Sequence, residues 1–203
     1  MRKSSCWFLL LLLFLLLMQR NAFAQQSTSA SQAAPAPQIP PPITLEKVYK
    51  SFVGNWTGEL EVRDLLSDLR TKLPAWLDVT LSPDGRGQQF HFIYDDGSNK
   101  VLEEVWAVTI DPQISMFTVS SDREKSKNTY LMTGFDKFSA TGYGTLQMTG
   151  LATENDKKVD VRITIKLGRN SYRYQKETRQ AGGDFQFRNG YNFIRRDPPE
   201  PAH

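Results

Sequence analysis

The strongest constraint on this chain's fold is a strict alternation between Val159 and Leu167. Val159, Val161, Ile163, Ile165 and Leu167 are apolar, while Asp160, Arg162, Thr164 and Lys166 between them are polar or charged. Successive side chains of an extended chain point to opposite faces, so this pattern predicts a strand with one face buried and the other in water. The signal recurs in short pieces broken by turn residues. Leu77, Val79 and Leu81 precede Ser82-Pro83-Asp84-Gly85, and Phe90, Phe92 and Tyr94 precede Asp95-Asp96-Gly97. Trp106, Val108 and Ile110 precede Asp111-Pro112, Phe117 and Val119 form a shorter piece, and Tyr130 with Met132 leads to Gly134. Leu146 with Met148 leads to Gly150, Tyr172 and Tyr174 follow, and Phe185 with Phe187 runs into Tyr191 to Arg196. With the run from Trp56 to Val62, this predicts about ten strands.

Sequential strands with short connections pair as an antiparallel meander, and closing the sheet removes its exposed edges. The expected fold is therefore all-β, an antiparallel up-and-down β-barrel of about ten strands. Turned outward into lipid, the alternating face would expose Glu59, Glu61, Arg162 and Lys166 to hydrocarbon, so the apolar face is expected inside.

The ends of the chain read differently. Met1-Arg2-Lys3 is a basic start, Trp7 to Met18 is an unbroken apolar run of 12 residues, and Asn21-Ala22-Phe23-Ala24 supplies small residues for a signal peptidase. The run is shorter than the ~20 residues of a bilayer span, so residues 1–24 read as a cleaved signal peptide and the mature chain should have no membrane span. Residues 25–42, made of Gln, Ser, Ala and Pro and ending in Ile39-Pro40-Pro41-Pro42, read as a disordered tether. Residues 43–197 form the barrel domain, and residues 198–203 a frayed tail. Within the domain, Thr44 is a good N-cap, and Leu45, Val48, Tyr49, Phe52 and Val53 keep helical spacing. They predict a short helix that closes the bottom of the barrel.

Cleavage would remove Arg2, Lys3 and Arg20 with no acid, taking the formal charge from +3 to zero. A neutral protein has no electrostatic reason to bind nucleic acid or an anionic membrane. The only cysteine, Cys6, leaves with the signal, so the core must hold without disulfides. This favours an exported bacterial protein, periplasmic or extracellular.

Gly54-Asn55-Trp56-Thr57-Gly58 opens the first strand. Glycine suits the bend where a sheet curls closed, and the indole can plug the end of the enclosed space. Together with Arg195-Arg196 at the end of the last strand, this Gly-x-Trp-x-Gly resembles the calycin superfamily, in its lipocalin-like and nitrobindin-like branches. The resemblance implies a lumen for an apolar or amphipathic ligand, with Gly54, Trp56, Gly58 and Arg195 or Arg196 forming the barrel closure. Nitrobindins hold haem through a late histidine and have a third glycine where this chain has Leu60. Here the histidines are His91, on the face opposite Phe90 and Phe92, and His203 in the tail. Haem is not carried over, and no cofactor or metal is expected.

The expected lumen residues are Trp56, Phe92, Tyr94, Trp106, Val108, Tyr130, Met132, Met148 and Ile163. They are apolar or amphipathic, so the favoured guest is an apolar molecule with a polar end. No nucleophile elbow, metal-spaced Cys/His cluster or phosphate loop is present. Ser120-Ser121-Asp122 reads as a strand-end turn. Glu104 shares parity with Trp106 and either projects inward or stays wet at the rim. Two further readings stand beside the ligand-binding one. The lumen could serve as a reaction chamber with Glu104 or Tyr130 as acid or base, or the barrel could be a packed interaction domain of an envelope assembly.

Overall fold

The computed structural model describes residues 45–97, 100–154 and 157–196. The expected signal peptide, tether, Thr44 cap and 198–203 tail lie outside the described residues. Helix α1 (Leu45–Phe52) leads into ten strands: β1 (Gly54–Arg63), β2 (Arg70–Leu81), β3 (Gln88–Asp95), β4 (Val101–Asp111) and β5 (Met116–Ser121), then β6 (Ser126–Thr133), β7 (Gly144–Glu154), β8 (Lys157–Leu167), β9 (Ser171–Arg179) and β10 (Gln186–Arg195). Each strand pairs antiparallel with the next, and β1 pairs with β10 to close the barrel. Val159, Val161, Ile163, Ile165 and Leu167 are all buried, as their alternation predicts. Outward residues carry charge and pair across strands, as in Arg162–Glu177, Lys72–Glu59 and Arg70–Glu61.

Several details depart from the sequence reading. A second helix, α2 (Phe135–Thr141), sits between β6 and β7 and buries Phe135 and Phe138. It is bounded by Gly134 and Gly142, both with left-handed backbone, and is too short for its helical period to stand out against the strands around it. Strand β2 starts seven residues before Leu77 and passes through Pro74. Pro74 lies one residue beyond Ala75–Tyr94, the last pair with β3, so its missing N–H falls where only β1 flanks the strand. Leu81 shares parity with Leu77 and Val79 but is exposed, because it lies at the strand end beyond the packed floor. Strand β7 continues through Gly150 to Glu154. There the glycine admits the Tyr130 ring, whose Cδ1 would lie 2.8 Å from an added Cβ.

Phe185 and Phe187 face outward. Arg162 and Arg179 lie over Phe185 at 4.3 and 4.5 Å, and Arg70 lies over Phe187 at 4.4 Å. A bulge between Phe187 and Asn189 inserts Arg188 and switches the face, so that Tyr191 and Phe193 point inward.

The floor of the barrel is the end with both helices. Val48, Tyr49 and Phe52 are buried there, and Phe52 stacks on Phe138 at 5.8 Å. Trp56 is buried, donates from Nε1 to Phe52 O at 2.9 Å and packs edge-on against Tyr172. The Arg195 guanidinium lies 4.0 Å from the indole centroid and donates to the carbonyls of Val53, Ser51 and Arg169. Arg196 contributes its backbone N–H, bonded to Asn55 O. The two glycines differ in role. Gly54 has φ +130 and gives way to Arg195, whereas Gly58 allows a close approach: an added Cβ would stand 1.8 Å from Asn192 O on β10.

Candidate functional site

Read from floor to mouth, the inward positions change chemistry along nearly every strand. On β9 they run Tyr172, Tyr174, Lys176; on β4, Ile110, Val108, Trp106, Glu104; on β7, Leu146, Met148, Gly150, Ala152, Glu154. On β6 they run Met132, Tyr130, Asn128, Ser126, facing Phe117, Val119 and Ser121 of β5. The lower half is therefore packed with aromatic and aliphatic groups, and the upper half carries polar and charged ones.

The space inside follows this gradient. An inner cavity of about 120 Å³ is bounded by Phe52, Gln88, Val108, Ile163 and Tyr172. Above it a wider cavity of about 700 Å³ is lined by Tyr94, Glu104, Arg123, Glu154, Lys176 and Arg188. Both are walled by Trp106, Tyr130 and Asn128, so the two form one funnel. The wall is thinnest between β6 and β7, which pair only at Leu131–Thr149, Met132–Met148 and Thr133–Gln147. Nearer the mouth Ser126, Asn128 and Tyr130 of β6 and Ala152, Thr153 and Glu154 of β7 all line the wider cavity. A separate groove of about 240 Å³ lies on the outer wall among Glu59, Lys166, Arg173 and Asn192.

Two polar networks ring the mouth. In one, Tyr94 and Tyr191 share a hydrogen bond at 2.8 Å, Tyr94 OH lies 3.5 Å from Glu104 Oε2, and Ser121 donates to Glu104 Oε1 at 2.7 Å. Ser121 also accepts the Glu124 N–H, which fixes the β5–β6 turn. In the other, Glu154 receives Lys176 at 3.2 Å, Arg188 at 3.5 Å and the Thr178 hydroxyl at 3.3 Å. The bulge that inserts Arg188 aims it at this carboxylate, and its Nη1 also holds Arg63 O.

The phenols between the two ends are held protonated. Burial pushes Tyr94, Tyr172, Tyr174 and Tyr191 well above the ordinary tyrosine value. Burial, with the Glu124 and Glu154 carboxylates, pushes Tyr130 up to about 12. At neutral pH these groups can donate hydrogen bonds to a guest but cannot serve as bases.

Of the expected lumen residues, Val108, Ile163, Trp106, Tyr130 and Tyr94 line the funnel. Trp56, Phe92, Met132 and Met148 do not: they are almost fully buried in the packed wall and floor, with Met132 and Met148 paired across β6 and β7. The charges at the mouth change the expected picture of a lumen with few ions. Glu154, Lys176 and Asn128 follow from carrying the alternation past Met148, Tyr174 and Tyr130, and Glu104 was already on inward parity. Arg188 has no such signal, because the bulge breaks the period. His91 faces outward and meets Glu103 at 3.1 Å. Among the described residues no group of three or more His, Cys, Asp or Glu is arranged to hold a metal. Among them, too, no helix is long and apolar enough to cross a membrane.

Fold and site together define a closed ten-stranded antiparallel barrel with an interior funnel, aromatic below and charged at its mouth. No protein-family model matches the chain. No curated protein matches it either. Among solved structures it is similar to the S-type phycobiliprotein lyase of Guillardia theta, with a TM-score of 0.49 and 11% identity over 77% of this chain and 94% of that one.

Proposed function

We propose that the protein is an exported lipocalin-like barrel that takes a small amphipathic molecule into its funnel. The observation that carries this reading is the funnel itself. Its inner part offers aromatic and aliphatic walls to an apolar body, and its mouth offers Lys176, Arg188, Glu104 and protonated phenols to a polar end. Pockets that bind small molecules combine such apolar walls with a few convergent polar groups. Export rests on residues 1–24 read as a cleaved signal, and material secreted by its own host should begin near Gln25 and lack a thiol.

A fluorescent fatty-acid analogue tests the binding. It should bind saturably and quench the emission of Trp106, which lines both parts of the funnel while Trp56 is sealed in the floor. Ile163→Trp should fill the inner cavity and weaken the probe with the fold retained. A probe that does not bind, or binds equally well to I163W, would favour the reading of the barrel as an interaction domain.

A further inference from the structure

The floor of the funnel breaks the gradient at one position. Inward residues of β3 run Gln88, Phe90, Phe92, Tyr94, so the strand puts a primary amide at its deepest, most apolar end. Two polar neighbours there, Trp56 and Tyr49, are matched. Trp56 Nε1 donates to Phe52 O, and Tyr49 OH accepts from the Ile110 N–H at 3.0 Å and donates to Arg86 O at 3.1 Å. Gln88 Nε2 donates to Tyr49 O at 2.8 Å and so ties β3 to α1. Gln88 Oε1 has no partner. Among the described residues it is the one fully buried side-chain nitrogen or oxygen in that state. The amide cannot be turned round to hide the problem, since Tyr49 O only accepts and needs the NH₂ group facing it.

An acceptor kept from water and left without a donor destabilises the empty barrel. Gln88 borders the inner cavity, opposite Val108 on β4 and close to Phe52 and Phe117. A guest reaching that depth meets Gln88 among Phe52, Val108 and Phe117, with its Oε1 acceptor sealed from solvent in the empty barrel.

We infer that the ligand carries a hydrogen-bond donor, a hydroxyl or N–H on a compact apolar or aromatic group, at its leading end, and that Gln88 Oε1 receives it. This deepens the lumen-binding reading and rests on it. A site with a buried unpaired acceptor discriminates against a guest of equal shape that lacks the donor, because that guest leaves the acceptor unmatched.

The test uses two probes of one shape, 1-naphthol and 1-fluoronaphthalene, which differ in the donor. With the full mature chain, naphthol should bind about tenfold more tightly or better, against its lower hydrophobicity. Gln88→Leu should abolish that preference while keeping the affinity for fluoronaphthalene. The side-chain amide resonance of Gln88 should shift with naphthol and not with fluoronaphthalene, a readout that needs no variant to fold. Equal affinities in the wild type, a preference that survives in Q88L, or an amide that ignores naphthol would each overturn the role of Gln88 and leave the lumen reading standing. If neither probe binds, the lumen reading falls and this inference with it.

Discussion

At the floor, Trp56 is covered by Arg195 and bonded to Phe52 O, and the guanidinium is held in turn by three backbone carbonyls. At the mouth, Glu154 is shared by Lys176, Arg188 and the buried Thr178, and Lys176 and Arg188 keep 22% and 30% of their side-chain surface in water. The same strands build both ends. A guanidinium that satisfies fixed carbonyls over an aromatic face makes a permanent closure, because removing it leaves buried acceptors unmatched. Ion pairs that keep contact with water are partly screened, and solvent competes for both partners, so each is easier to break than the floor's closure. Such pairs can exchange one partner for a ligand group at small cost. The barrel thus concentrates its stability at one end and its capacity for exchange at the other.

The largest expected effect concerns the phenols that lie between the two ends. Tyr130 is raised from 10.0 to about 12, chiefly by burial, and five other tyrosines, Tyr49 of the floor among them, are raised by burial as well. A raised phenol binds its proton more tightly in the folded state, so its stabilisation is fully present below about pH 10, the unfolded value. It is lost as pH rises from about 10 through the folded values, for Tyr130 about 12. Phenolate absorbance and loss of β-sheet circular dichroism should therefore rise together above pH 10. Ionisation of these tyrosines at their ordinary value in an intact barrel would mean that the funnel is wet to its floor.

Next in size is Trp56→Ala. It removes the plug, the bond to Phe52 O and the ring beneath Arg195, and is expected to cost about 3 kcal/mol or more. An unchanged denaturation midpoint would remove the distinction between a closed floor and an exchangeable mouth.

The smallest expected effect is that of Lys176→Met. Glu154 keeps Arg188 and Thr178, so the stability loss should be smaller than that of Trp56→Ala. The affinity for an anionic amphipathic probe should fall several-fold, measured by the same quenching assay. A large stability loss without a binding change would make the mouth network structural, like the floor.

The sequence by itself determined the strand number, the antiparallel closure, the capping helix and the inward set from Trp56 to Ile163, because period-two alternation and turn residues are local properties of the chain. It also carried the polar turn at the mouth, since Glu104, Lys176 and Glu154 keep the parity of Trp106, Tyr174 and Met148. Tertiary structure decided the rest. Whether an inward residue is packed or faces space depends on how far facing strands stand apart, which separates Met132 and Met148 from Tyr130 and Ile163. The bulge that aims Arg188 is a shift of register against β9, and the backbone contact that requires Gly58 lies across the β1–β10 seam. The choice of Arg195 over Arg196 follows from which of two adjacent side chains that seam turns toward Trp56. Each of these is a relation between residues far apart along the chain, and only the closed barrel brings them together.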